Sequence, residues 1–131
     1  MKQLRKKLSL LNRKWDSTLL DNRYSNNVPA RPGVYKIFSI KERIMKIPHG
    51  LQIRYIGKAE KSIRSRFLAH SKYSSEHNED LAKLVNRESL EFWFMELPKE
   101  IVSLTEKELI RAYRENNTNE LLNKINYING A

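Results

Sequence analysis

The chain has 131 residues, of which 40% are hydrophobic, enough for one domain with a single core. Its 25 lysines and arginines exceed its 15 aspartates and glutamates, and the net charge of +10 favours a polyanion as partner. The absence of cysteine excludes disulfides, thiolate metal sites and cysteine nucleophiles. No apolar run reaches the ~20 residues of a membrane span, so we expect a cytoplasmic protein without a membrane partner.

The positive charge is unevenly distributed along the chain. Residues 1–23 carry +5, residues 24–70 carry +8 and residues 71–131 carry −3. A charge that serves solubility alone would not segregate in this way. The distribution predicts one electropositive surface, with nucleic acid as the leading partner.

Apolar residues at helical spacing predict a basic amphipathic helix from Leu4 to Leu20. Its apolar stripe is interpreted first as a packing face, while a homodimer interface and an anionic membrane surface remain alternatives. The polar segment Asp21–Asn27 is interpreted as a linker. We therefore expect an N-terminal extension over residues 1–28 and the main domain over residues 29–131.

The rest of the chain predicts three strands and three helices. The β-branched and aromatic runs Val34–Ile40 and Leu51–Ile56 form a hairpin, and Leu90–Leu97 is a third strand. Helices are predicted over Lys61–Lys72, over Asp80–Asn86, and from Ser103, where Ser-x-x-Glu has the form of a capping box. This order predicts an α+β fold, a small three-stranded antiparallel sheet flanked by helices.

Chemically useful side chains recur on these elements. Gly33-Val34-Tyr35 opens the first strand and Tyr55-Ile56-Gly57 closes the second, so the hairpin can bring the two phenols together. Arg66 and His70 are four residues apart on one helix face, and Glu106 lies on the last helix. A carboxylate, a fixed cation and proton-accepting groups are what a phosphodiester hydrolase requires.

These motifs, together with Lys58 and a later asparagine, resemble the GIY-YIG nuclease family. The resemblance covers roughly residues 29–126 and matches the family's elements in order. It implies a metal-dependent DNA endonuclease that hydrolyses phosphodiester bonds. The implied substrate is double-stranded DNA and the implied cofactor is Mg²⁺, with Mn²⁺ as a substitute.

The resemblance also implies individual roles. Glu106 would bind the metal, since a carboxylate is the hard ligand that Mg²⁺ prefers, and Arg66 would clamp the scissile phosphate. Tyr35 is the first choice for activating water, and Tyr55 would position the water or the phosphate. Because a phenol has a usual pKa of about 10, a phenolate base needs cationic neighbours, and His70 is the alternative base.

Supporting roles fall to two residues. Lys58 is one of the cationic neighbours of the phenols, and Asn123 matches the family's later asparagine, with Asn126 as a competitor.

Besides the competition between Asn123 and Asn126, one feature sets this chain apart from the family pattern. The two tripeptides are separated by 19 residues, Lys36 to Arg54, a longer spacing than is usual in the family. This segment is either a harmless long loop or a basic finger on DNA, in which Lys41, Arg43 and Lys46 would contact the backbone. Arg64 is a further candidate for a phosphate contact.

Among the members of the family, the pattern favours a compact stand-alone nuclease of restriction or phage type. The alternative from another class is a non-catalytic nucleic-acid-binding module on the same fold.

Overall fold

A computed structural model describes residues 15–44, 47–72, 78–87, 89–116 and 122–123. Within them the fold is α+β, as the sequence predicts, with four strands, three α-helices and a short 3₁₀ helix, Asn22–Asn27. In chain order the elements are β1 (Asp16–Leu19), β2 (Gly33–Ile44), β3 (Ile47–Ala59), α1 (Ile63–His70), α2 (Glu79–Arg87), β4 (Leu90–Glu96) and α3 (Lys99–Asn116).

The sheet is antiparallel with the strand order β1-β4-β2-β3, so the prediction of three strands is wrong by one. The additional strand is β1, whose residues Asp16 to Leu19 pair with Phe94 to Glu91 of β4. Its pairing satisfies backbone groups of β4 that would otherwise form the edge of the sheet.

Strand β1 also corrects the predicted N-terminal helix. Residues 16–19 were expected to continue that helix, but they are extended, and residues 1–14 lie outside the described residues. Thr18 is β-branched and suits a strand, and the backbone pairing outweighs the helical spacing of the apolar residues. The expected linker is largely the 3₁₀ helix, which begins where the Asp21 side chain accepts a hydrogen bond from the Arg23 amide.

The hairpin of β2 and β3 is longer than predicted. Its strands run to Ile44 and from Ile47, so the expected basic loop is mostly strand. Pro48 pairs opposite Arg43 although proline has no amide hydrogen. An outer strand tolerates proline, and β3 is an outer strand.

Both faces of the sheet are covered. Helices α1 and α2 pack on the face that carries Tyr35, Ile37 and Phe92. Helix α3 packs on the opposite face, where Val102 contacts the group of Val34. Because side chains alternate along a strand, each tyrosine of the hairpin that faces α1 has neighbours that face α3.

Helix α3 begins at Lys99, so the prediction that it starts with a cap at Ser103 is wrong. Pro98 immediately precedes the helix, where its fixed φ and missing amide hydrogen suit a helix start, and Glu100 provides a favourable acid in the first turn. Ser103 and Glu106 therefore lie inside the helix. No helix in the described part of the chain is both long and apolar enough to span a membrane.

Candidate active site

The register of the hairpin places the two tripeptide motifs side by side. Tyr35 of β2 lies opposite Gly57 of β3, and Ile37 lies opposite Tyr55. A Cβ atom on Gly57 would lie only 2.2 Å from Cζ of Tyr35, which no side chain allows. Glycine at this position is therefore what lets the Tyr35 ring lie across β3.

The two phenol rings share one face of the sheet with a histidine. The ring centroids of Tyr35 and Tyr55 are 6.3 Å apart, and that of His70 on α1 lies 5.3 Å from the first and 5.2 Å from the second. Three side chains that are distant in sequence thus form one aromatic group. The structure brings them together as the sequence predicts.

The hydroxyl of Tyr35 is the centre of a short hydrogen-bond network. It lies 2.7 Å from Nε2 of His70 and accepts a hydrogen bond of 3.3 Å from Nε of Arg66. Because Arg66 is already a donor to the phenol oxygen, the phenol proton can be donated to the imidazole.

Exposure differs sharply within this network. Tyr35 is fully buried and His70 is only 2% exposed, whereas the side chain of Tyr55 is partly exposed and Arg66 is exposed. The Arg66 guanidinium is thus hydrogen-bonded to a buried phenol and also exposed to solvent. A guanidinium that is fixed in this way is suited to bind an anionic ligand.

Glu106 lies on α3, near enough to Lys58, Glu60 and Arg66 for their charges to act on its carboxylate. Its side chain is partly buried, and no other described residue gives its carboxylate a hydrogen bond or an ion pair. Burial raises the pKa of Glu106, the charge of Glu60 raises it further, and the charges of Lys58 and Arg66 oppose the rise. A desolvated carboxylate without a bonded partner favours a proton or a cation.

The resemblance implies a divalent metal ion, whose protein ligands would be side chains of this site. In the described residues no three histidine or acidic side chains come together as a metal-binding group. Mg²⁺ keeps several waters and commonly takes only one or two carboxylates from the protein. The open Glu106 carboxylate can supply one such ligand.

Lys58 lies at the end of β3, beside Glu106. Its ammonium donates to Oγ of Ser103 at 3.0 Å and forms an ion pair of 3.2 Å with Glu60. Ser103 Oγ in turn lies 3.5 Å from the same Glu60 oxygen. The three side chains form one polar cluster at the rim of the site.

Asn123 lies on the outer edge of β3 and contacts its backbone. Its side-chain oxygen accepts from the Ile56 amide at 3.0 Å, and its side-chain nitrogen donates to the Ile56 carbonyl at 2.6 Å. The neighbouring amide of Leu122 donates to Arg54. Asn123 thus supports the strand that carries Tyr55, while its competitor Asn126 lies outside the described residues.

The predicted DNA-contacting residues are less closely grouped. Arg64 donates from Nε to the carbonyl of Val28 at 2.8 Å, which ties α1 to the loop before β2. Lys41 and Arg43 belong to the distal half of β2, and Lys46 lies outside the described residues. Their contacts with DNA stay predictions.

Glu60 and Ser103 belong to the polar cluster but are not among the site residues predicted from the sequence. Glu60 is two residues after Lys58. Because side chains alternate along a strand, this spacing predicts that both lie on one side of the chain. Ser103 is three residues before Glu106, about one helical turn away. The capping-box interpretation gave Ser103 a role as a helix cap and none in the site. Only the packing of β3 against α3 brings the two sets together.

Comparison with known proteins adds no relative: no protein-family model, curated protein or solved structure matches this chain. The resemblance to the GIY-YIG family therefore depends on the motifs and on their geometry.

Proposed function

We propose that this protein is a divalent-metal-dependent DNA endonuclease of the GIY-YIG type. The observation that carries the proposal is the position of Arg66, which links the two halves of the site. Its Nε donates to the Tyr35 hydroxyl, and its charge is close enough to Glu106 to act on the pKa of that carboxylate. A cation between a phenol–imidazole pair and an open carboxylate is suited to a phosphate.

Each side chain has a role in this proposal. Arg66 binds the scissile phosphate and stabilises the charge that develops on it. Tyr55, the partly exposed phenol, positions the attacking water. Tyr35 gives its hydroxyl proton to Nε2 of His70, and the phenolate so formed takes one proton from that water. Buried His70 serves as proton acceptor for the pair rather than for water directly.

Glu106 would hold Mg²⁺ or Mn²⁺, which supplies Lewis-acid stabilisation of the phosphate and of the leaving oxygen when bound. Lys58 adds positive charge beside that carboxylate. The basic N-terminal half of the chain supports duplex DNA as the substrate, because phosphate contacts dominate affinity for DNA. The enzyme would act in the cytoplasm as a monomer or a homodimer.

Plasmid nicking in the presence of Mg²⁺ or Mn²⁺, with an EDTA control, tests the proposal. Arg66→Lys keeps the charge but loses the planar fork, and Glu106→Gln keeps the shape but loses the metal ligand. Each should reduce the cleavage rate by on the order of 10²-fold or more, with the melting temperature nearly unchanged. Exposed Lys83→Ala is the matched control. Normal cleavage by either site variant would refute the site.

One observation favours the non-catalytic module as a second candidate. Tyr35 and His70 are both buried, so the pair that would accept the proton does not meet solvent directly. A module would bind DNA without cutting it at any metal concentration. Binding measured by gel shift, combined with the nicking assay on the same samples, separates the two candidates.

A further inference from the structure

The polar cluster of Lys58, Glu60 and Ser103 has a feature that the proposed reaction does not use. Lys58 is close enough to Glu106 for its charge to act on that carboxylate, yet no ion pair joins them in the described structure. The ammonium instead contacts Ser103 at 3.0 Å and Glu60 at 3.2 Å. Lysine is flexible, so an unrestrained ammonium would turn to the less solvated acid.

We infer that Glu60 and Ser103 are positioning residues, which hold the Lys58 ammonium away from Glu106 and so keep the Glu106 carboxylate open to a divalent cation. The inference builds on the proposed function, because it concerns the same metal-binding carboxylate.

The burial pattern supports this assignment. Glu106 is partly buried, whereas Glu60 and Ser103 are exposed. An ion pair with partly buried Glu106 would be screened less than the pair with exposed Glu60, so the more favourable partner by burial is the one that Lys58 does not take. The hydroxyl of Ser103 contacts both Lys58 and Glu60, and thereby fixes the ammonium on the far side of the cluster.

Binding of Mn²⁺ to the full chain without DNA, measured by the loss of the free-Mn²⁺ EPR signal, tests the inference independently of catalysis. Ser103→Ala changes no charge, and it should weaken Mn²⁺ binding about fivefold because one restraint on Lys58 is lost. Ser103→Thr retains the hydroxyl and should bind as the wild type does. Exposed Ser17→Ala is the matched control.

A double-mutant cycle separates the restraint from simple charge effects. Glu60→Gln should weaken Mn²⁺ binding about tenfold, and adding Lys58→Met should restore it, since the ammonium that competes for Glu106 is gone. Lys58→Met alone should tighten Mn²⁺ binding, by no more than about twofold, because it removes a positive charge that the restraint already holds away from Glu106. If cleavage is measured alongside, Ser103→Ala should raise the Mn²⁺ concentration required and leave the rate at saturation unchanged.

The outcomes distinguish the inference from the proposed function. If the wild type binds no Mn²⁺, or Glu106→Gln binds as tightly, the metal site of the proposed function fails and the inference fails with it. If Mn²⁺ binds through Glu106 but Ser103→Ala matches the wild type, the inference alone is overturned. Additive effects of Glu60→Gln and Lys58→Met would also overturn it, since charge alone would then account for the data.

Discussion

At the scale of single residues, Lys36 is as unusual as any residue of the site. Next to Tyr35 in β2, it points to the opposite face, where its ammonium lies 3.9 Å from the ring centroid of Trp15. Three more rings lie within 6.0 Å, those of Phe38, Trp93 and Tyr113. Burial lowers the pKa of Lys36 to about 8.

This lowered pKa makes stability depend on pH. Between about 8 and the usual 10.5 the unfolded chain binds more protons at Lys36 than the folded chain, so this residue's contribution to stability rises with pH across that window. At neutral pH the buried charge is a net cost. Lys36→Met should therefore raise the melting temperature at neutral pH, and its advantage should shrink as the pH approaches 10.5.

Thermal melts of both proteins from neutral to alkaline pH measure this effect. Exposed Lys83→Met provides the control and should show no such trend. A lower melting temperature for Lys36→Met at neutral pH would mean that attraction to the four rings outweighs the cost of burial.

At the scale of secondary-structure elements, the outer edge of β3 is closed by only two described residues of the C-terminal segment. Leu122 and Asn123 form backbone and side-chain hydrogen bonds to Arg54 and Ile56, and the Asn78 side chain donates to the Leu122 carbonyl at 2.8 Å. The Asn123 amide imitates a neighbouring strand at Ile56. Together with the Leu122 amide, which donates to the Arg54 carbonyl, it holds the strand on both sides of Tyr55.

Asn123→Ala should destabilise the protein by about 1–3 kcal/mol, because both backbone groups of Ile56 lose their side-chain partner. Hydrogen exchange provides the specific measurement: the Ile56 amide should exchange faster, while amides of α3 should not change beyond the global loss of stability. Asn26→Ala, in the exposed 3₁₀ helix, is the matched control. Unchanged protection at Ile56 would contradict the strand-support role.

At the scale of the whole molecule, DNA binding and the proposed cleavage depend on different charged groups. In the proposed function the net charge of +10 would attract DNA, whereas Glu106, which would hold the metal, comes from the segment that carries −3. Binding and cleavage should therefore respond to different ions.

DNA affinity without a divalent cation should fall by about 10³-fold between 50 and 200 mM salt if about six phosphates are contacted. Filter binding in EDTA at several salt concentrations measures this slope. Glu106→Gln should bind at least as tightly as the wild type at every salt concentration, because it removes a negative charge. A flat salt dependence would contradict a binding surface built from lysine and arginine.

Much of the fold and of the site follows from local sequence signals. The strands of the hairpin, the helices over Ile63–His70 and Glu79–Arg87, and β4 are all marked by residue type and spacing. The proximity of Tyr35 and Tyr55 also follows, since strand pairing fixes which side chains share a face. The approach of His70 to both rings depends on the packing of α1 against the sheet.

Local sequence signals therefore predict the hairpin, the two helices that follow it and β4, together with the polar side chains that these elements carry. That residues 16–19 form a strand depends on long-range pairing, because the outer edge of β4 offers backbone partners that no local signal reveals. Packing of α3 against the sheet likewise decided that Ser103 binds Lys58 instead of capping a helix. Both outcomes depend on groups distant in the chain, whose pairing outweighs the weak preferences of a few local residues.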